Sequence, residues 1–131
     1  MAPVTLITAP AGFGKSTVAA QWARDTDRWV IWVSLHPESN TPDRFLNDLQ
    51  LALGIDGNSE IADTAVSDPS LRAIAAGLDR LSTSQPITIV FDDYHVIENP
   101  DVHRVMNALV HECPAGVSVM ILSRTLPPLA L

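Results

Sequence analysis

Apolar residues of this chain form four short runs, which lie at residues 4–7, 29–33, 87–93 and 117–124. The third run ends in two carboxylates, and the fourth ends in Ser123 and Arg124. Near-continuous runs rich in Val and Ile are typical of strands that are buried on both faces of a sheet. Because helical patterns separate the runs, we predict an α/β fold with a parallel sheet and helical crossovers.

Three of the predicted helices share one start signal, a capping residue followed by proline. The signal occurs at residues 41–42, 68–69 and 99–100, and apolar residues recur at helical spacing after each pair. A further helix is predicted after Thr17, where Val18, Ala19, Trp22 and Ala23 share one face. The stretch 54–67 is rich in Gly, Asp, Asn and Ser, which predicts a flexible surface loop.

Composition narrows the possible roles of the chain. Its 131 residues, of which 47% are hydrophobic, suit one domain with one buried core. A formal net charge of −7 argues against direct binding of this segment to DNA or to an anionic membrane. The single cysteine, Cys113, excludes an internal disulfide and is interpreted as a packing residue. Without a leader pattern or a long apolar run, the expected location is the cytoplasm.

The most informative motif is the stretch 9–17, which fits the phosphate-binding loop pattern with Ala9 in place of the first glycine. Gly12 and Gly14 allow the backbone to curl until successive amides point at one anion. Lys15 would reach the β and γ phosphates, and the Ser16 hydroxyl would be a ligand of Mg²⁺. The predicted nucleotide-binding residues are Ala11, Gly12, Phe13, Gly14, Lys15, Ser16 and Thr17.

A second motif is the acid pair that ends the third run, which is typical of a Walker B element. In an open parallel sheet, ligands bind outside the carboxyl ends of the strands, so Asp92 is predicted to hold Mg²⁺ beside the loop. Asp93 is predicted to orient or deprotonate the attacking water. An Asp reaches less far than a Glu, so slow hydrolysis is expected. The alternative is that both acids only cap a strand before a turn.

Arg124, at the end of the fourth run, is predicted to lie at the same edge of the sheet. A guanidinium there can contact the γ-phosphate and report its presence, the role called sensor 1. An exposed Arg at a strand end, without function, is the alternative.

The histidines and tryptophans are interpreted as structural. His36 and His95 are predicted in loops, and His103 and His111 on a polar helix face, with no spacing typical of a metal site. The tryptophans are predicted to pack in the core or an interface, because basic residues do not interleave with them; they are Trp22, Trp29 and Trp32.

Several of these strings resemble the nucleotide-binding domain of MalT-type, large LuxR-family regulators of the STAND class of ATPases. The resemblance rests on residues 4–17, on Trp32 to Leu35 with Asn40, Pro42 and Phe45, on 91–95 and on 122–124. It implies a three-layer P-loop NTPase fold with strand order 1-4-3-2 and the first strand exposed where a fifth would lie. It also implies that residues 1–131 are one domain of a much longer regulator.

The same resemblance implies a switch. Such a regulator rests with ADP, exchanges it for ATP when an inducer binds, self-associates, and contacts DNA through a C-terminal helix-turn-helix. Two alternatives stay open at this point: a stand-alone P-loop enzyme such as a small-molecule kinase, and a degenerate interaction domain. The chain has only 8 Lys and Arg residues for a kinase lid, and the intact Lys15, Ser16 and Asp92 argue against degeneracy.

Overall fold

The protein forms one parallel sheet with helices on both faces. A computed structural model describes residues 3–8, 15–54 and 69–129, except for the side chains at 15, 16, 69 and 70. The predicted loop at 54–67 falls outside these residues apart from Gly54, which ends a helix at φ 72°. That backbone conformation favours glycine, because a Cβ would clash with the neighbouring carbonyl.

Four strands make the sheet, and all of their pairings are parallel. They run in the order β1-β4-β3-β2, which confirms the predicted topology. The central strands are buried on both faces, whereas the edge strands are partly exposed. Their bounds are β1 Val4–Thr8, β2 Trp29–Ser34, β3 Ile87–Asp92 and β4 Val117–Ser123.

Three helices begin at the prolines that the sequence predicts, and α1 begins at Lys15, before its predicted start after Thr17. The Thr41 side chain accepts a hydrogen bond from the Arg44 amide at 3.4 Å, and the Asn99 side chain accepts one from the Asp101 amide at 2.9 Å. Each cap satisfies a donor that the first helical turn leaves unpaired. The helices are α1 Lys15–Asp25, α2 Pro42–Leu53, α3 Pro69–Ser82 and α4 Pro100–Glu112.

The hydrophobic core has two parts, one on each face of the sheet. Apolar side chains of α2, α3 and α4 pack with alternate residues of β2, β3 and β4 in the larger cluster, where Phe45 stacks on Phe91 at 5.7 Å between ring centroids. The smaller cluster lies under α1 and includes Ala19, Val90 and Leu122. Because successive strand residues point to opposite faces, this division confirms three layers.

The tryptophans divide between packing and exposure. Trp22 and Trp32 pack on the smaller cluster, as predicted, whereas Trp29 is 43% exposed at the start of β2.

No helix in the described ranges is long and apolar enough to cross a membrane.

Arg28 ties three chain segments together at the amino end of the sheet. Its Nε donates to Thr88 Oγ1 at 2.7 Å, and its Nη2 donates to the carbonyl oxygens of Ile87 at 2.7 Å and Gly116 at 3.3 Å. Thr88 Oγ1 also lies 2.7 Å from Ser118 Oγ on β4. The guanidinium fork therefore satisfies polar groups of β3 and of the turn before β4.

A buried pair of polar side chains joins the segment after β3 to α4. The Tyr94 hydroxyl lies 2.9 Å from His103 Nδ1, and both residues are buried. The prediction of a polar helix face for His103 is therefore wrong, because Tyr94 from another segment covers it and supplies its hydrogen bond. His111, eight residues further along α4, is exposed, as predicted.

Substitution of Arg28 by Ala should lower the free energy of unfolding by about 1–3 kcal/mol, because it leaves Thr88 and a buried carbonyl without their charged donor. Urea unfolding followed by circular dichroism measures this change. The matched control is Arg80→Ala, at an exposed position of α3. Equal destabilisation by the two variants would contradict the role given to Arg28.

The stability of the domain should fall as the pH drops below about 6.5, the usual pKa of histidine in an unfolded chain. Burial lowers the pKa of His103 in the folded protein. Protons therefore bind the unfolded state first, and the stability that the neutral imidazole contributes is lost between 6.5 and the lower, folded pKa.

Comparison of His103→Gln with His111→Gln tests this assignment by urea unfolding at pH 7.5 and 5.5. His103→Gln should lose part of the pH dependence of the free energy of unfolding. His111→Gln, at an exposed position of the same helix, should keep the wild-type pH dependence. An unchanged slope in His103→Gln would show that other groups cause it.

Candidate functional site

The carboxyl ends of the four strands meet at one edge of the sheet. Thr8 of β1 is in register with Ser123 of β4, and Ser34 of β2 is in register with Asp92 of β3. These strand ends are therefore neighbours, and ligands of open parallel sheets bind at this edge. The sequence-predicted site residues all belong to these strand ends or to the segments that follow them.

The predicted phosphate-binding loop connects β1 to α1. Ala11, Gly12, Phe13 and Gly14 lie outside the described residues, as do the side chains of Lys15 and Ser16. The flanking elements are present: β1 ends at Thr8, and α1 begins at Lys15. Thr17 is exposed in the first turn of α1. The strand before the loop and the helix after it are the context that this motif requires.

The main chain has different conformations at Asp92 and at Asp93. Asp92 is the last residue of β3, is partly buried, and accepts a hydrogen bond from the Leu35 amide on its main-chain oxygen at 3.0 Å. Asp93 has φ 61° and ψ 40°, a left-handed conformation that few residues other than Gly, Asn and Asp adopt. The chain therefore changes conformation between the two acidic residues.

A short 3-10 turn, Tyr94–Val96, follows the acid pair. The Val96 amide donates to the Asp93 carbonyl at 3.1 Å, and the Ile97 amide donates to the Tyr94 carbonyl at 3.0 Å. The buried Tyr94 ring anchors this turn on α4 through His103. The segment from Asp93 to Asn99, which we call the acid loop, is therefore fixed at its start.

The end of the acid loop is held by Asn40, which precedes α2. Its Oδ1 accepts hydrogen bonds from the amides of Glu98 and Asn99, both at 2.9 Å. In return, Asn99 Nδ2 donates to the Asn40 carbonyl at 3.4 Å. These bonds join the segments that follow β2 and β3, so the two loops at this edge form one unit.

Arg124 lies directly beyond the end of β4 and is exposed. Its main-chain amide donates to His95 Nδ1, in the acid loop, at 3.4 Å. Arg124 is thus held beside the segment that carries Asp93, which agrees with its predicted position at this edge.

The oxygen atoms of these side chains are of the kind that a nucleotide-bound Mg²⁺ takes as ligands. Mg²⁺ prefers oxygen ligands and is usually held by one or two carboxylates together with phosphate oxygens and water. Asp92 ends β3 and Asp93 follows it, at the strand end that the motif predicts. Among the described residues, no group of three or more His, Cys, Asp and Glu side chains is arranged to hold a metal ion.

The contacts that organise this edge could not be predicted from the sequence. The sequence predicts His95 in a loop and does not indicate which residue it contacts. Asn40 and Asn99 are 59 residues apart, so no local pattern shows that they pair. The available signal for Asn40 and Asn99 was that each is a polar residue just before a predicted helix. Most helix starts share this signal.

Comparison with known proteins agrees with the fold and the motifs. Residues 2–123 match a protein family described as an AAA domain. The chain is 37% identical over 135 residues to proteins named HTH-type transcriptional regulator MalT from Serratia proteamaculans and Yersinia enterocolitica. It is 34% identical to the protein of that name from Cronobacter sakazakii.

Each of these alignments covers 98% of this chain but 15% of the relative, so the chain corresponds to a small part of a long protein. The resemblance to MalT-type regulators seen in the sequence is confirmed by these identities. With its strand order, its acid pair at the end of β3 and a match that spans residues 2–123, the chain belongs to the AAA domain family.

Proposed function

We propose that this domain is an ATP-binding switch that hydrolyses ATP slowly and controls a MalT-like transcriptional regulator. The observation that carries the proposal is the order of strands at the site edge. Because β4 lies between β1 and β3, Arg124 follows the strand that separates the phosphate-binding loop from the acid pair. The three strands that carry these groups are consecutive in the sheet, which supports one shared site for a triphosphate.

The binding step depends on the loop and on the start of α1. Backbone amides of residues 11–14 and Thr17 surround the phosphates, and Lys15 adds a positive charge at the β and γ positions. The Ser16 hydroxyl and the Asp92 carboxylate would hold Mg²⁺, which would neutralise charge on the phosphates. The amino terminus of α1 favours the same anion through its helix dipole.

The hydrolytic step depends on Asp93 and Arg124. Asp93 orients the attacking water and accepts its proton, while Arg124 stabilises the charge that develops on the γ-phosphate. The Asp side chain is shorter than the Glu that many fast ATPases use, so slow turnover is expected. Slow turnover suits a switch, in which hydrolysis resets a state.

In the longer protein, the nucleotide state would control activation of transcription. DNA contacts would come from another domain, because this one carries a net charge of −7. Self-association in the active state is part of the proposal, and the partly exposed edge strand β1 is a surface that could pair with a further strand. The proposed location is the cytoplasm.

Titration calorimetry with Mg-ATP and Mg-ADP tests nucleotide binding. Lys15→Ala should weaken binding of both nucleotides by about ten- to a hundredfold, because it removes a charge-assisted contact to phosphate. The control is Arg24→Ala, which removes one positive charge from the exposed last turn of α1. Equal affinity in the Lys15 variant and the wild type would refute the proposed site.

Asp93→Asn should leave nucleotide affinity unchanged and lower the rate of ATP hydrolysis by about 10²–10⁴-fold, the usual contribution of a general base. Asn also tolerates a left-handed backbone, so the fold is expected to remain. Phosphate release under single-turnover conditions measures the rate. Asp92→Asn is the companion variant and should instead weaken the Mg²⁺ dependence of binding. Hydrolysis at the wild-type rate in Asp93→Asn would show that another residue acts as the general base.

A further inference from the structure

Asp93 has an unusual backbone conformation, and it follows a fixed strand end. Among the residues that the structure describes, it is the one non-glycine residue with a positive φ, at 61°. On its amino side, Asp92 ends β3, and the Asp92 carbonyl accepts the Leu35 amide at 3.0 Å. A left-handed backbone costs free energy in L-amino acids and persists where the surrounding structure enforces it. A second constraint is therefore expected on the carboxyl side of Asp93.

Tyr94, the next residue, supplies this constraint. Its side chain is 1% exposed, and its hydroxyl lies 2.9 Å from Nδ1 of His103 on α4. The two rings also lie against each other, with centroids 5.6 Å apart. Because β3 holds Asp92 and α4 holds Tyr94, Asp93 is the single residue that joins two fixed points. Its left-handed conformation is the one that connects them.

The bond between Tyr94 and His103 joins two groups that are neutral at pH 7. Burial raises the pKa of the Tyr94 hydroxyl and lowers the pKa of His103, so neither side chain is charged there. Either group can donate to the other, depending on the tautomer of the imidazole. Removal of one partner leaves the other as a buried polar group without this hydrogen bond, which weakens the anchor of Tyr94.

We propose that His103 is a positioning residue, which holds Tyr94 and thereby keeps Asp93 in the left-handed conformation that directs its carboxylate at the attacking water. This inference rests on the proposed function, because it assumes that Asp93 is the general base. It gives a residue of α4, outside the predicted nucleotide site, an effect on hydrolysis. His103 acts through Tyr94 and itself contacts no reacting atom.

The first test is single-turnover hydrolysis of Mg-ATP by the 131-residue chain. Tyr94→Phe removes only the hydroxyl, and His103→Leu replaces the imidazole by an apolar side chain. Each substitution should lower the rate by about ten- to a hundredfold, because a small displacement of a catalytic group is enough for such a loss. The affinity for Mg-ATP, measured by titration calorimetry, should not change, since neither residue contacts the phosphates.

Two further variants make this test specific. His103→Asn keeps an oxygen close to the position of Nδ1 and should retain most of the wild-type rate. In the Asp93→Asn background, Tyr94→Phe should cause no further loss, because the carboxylate that it positions is gone. An equal fractional loss in that background would overturn the inference, since the hydroxyl would then act independently of Asp93.

Arg28→Ala is the control for a general loss of stability. Arg28 lies at the opposite, amino end of the sheet, and its removal deprives Thr88 and the Ile87 carbonyl of a charged donor. Where circular dichroism shows every variant folded, Arg28→Ala should hydrolyse ATP at the wild-type rate. An equal loss of rate in Arg28→Ala and Tyr94→Phe would overturn the inference, because destabilisation alone would explain both.

NMR without nucleotide follows the backbone of Asp93 directly. The nuclear Overhauser effect between its amide and α protons is strong at positive φ, because the two protons are then close together. It should weaken in Tyr94→Phe and in His103→Leu, and His103→Asn should keep the wild-type intensity. An unchanged intensity in the first two variants would overturn the inference, whatever the hydrolysis rates show.

The failure of this inference can be distinguished from failure of the proposed function. If Asp93→Asn lowers the rate of hydrolysis but Tyr94→Phe has the wild-type rate, the inference fails while the general base stands. If Asp93→Asn hydrolyses ATP at the wild-type rate, or the wild type binds no nucleotide, the proposed function fails and the inference fails with it.

Discussion

The parallel register of β3 with its neighbours is the constraint on which the rest of this structure depends. Hydrogen bonds to β2 and β4 fix where β3 ends. Because β3 is buried on both faces, a shift of register by one residue would exchange its side chains between the two core clusters. The ends of β1 and β4 are aligned by the same sheet. Asp92 and Arg124 lie at the same edge of the sheet because these strand ends are aligned.

Polar contacts at the two ends of the sheet have different consequences. At the amino end, Arg28 joins β3 to the turn before β4 through donors that point at buried acceptors, which stabilises the sheet. At the carboxyl end, Asn40 and His95 join loops to one another through main-chain amides. Loops on a rigid scaffold are where binding and catalytic residues usually lie, and here those loops are themselves cross-linked.

Local sequence signals predicted the elements well. Strand runs and Pro-containing helix starts act over a few residues, so a single sequence contains them, and the Gly-rich motif with its flanking strand and helix is also local. The interpretation of His103 was wrong for a related reason. Helical periodicity showed its place on α4 but could not show that Tyr94 would cover it, because that contact depends on the left-handed turn at Asp93 and on the packing of α4.

The sequence by itself determined the α/β class, the strand and helix positions and the residues predicted to bind phosphate, because each follows from local periodicity or from a short motif. Tertiary structure decided which of these residues are neighbours. His95 meets Arg124 across 29 residues and Asn40 meets Asn99 across 59, and both contacts exist only after β2, β3 and β4 have paired. Such contacts depend on how all the strands of the sheet pair, and no local sequence pattern encodes that pairing.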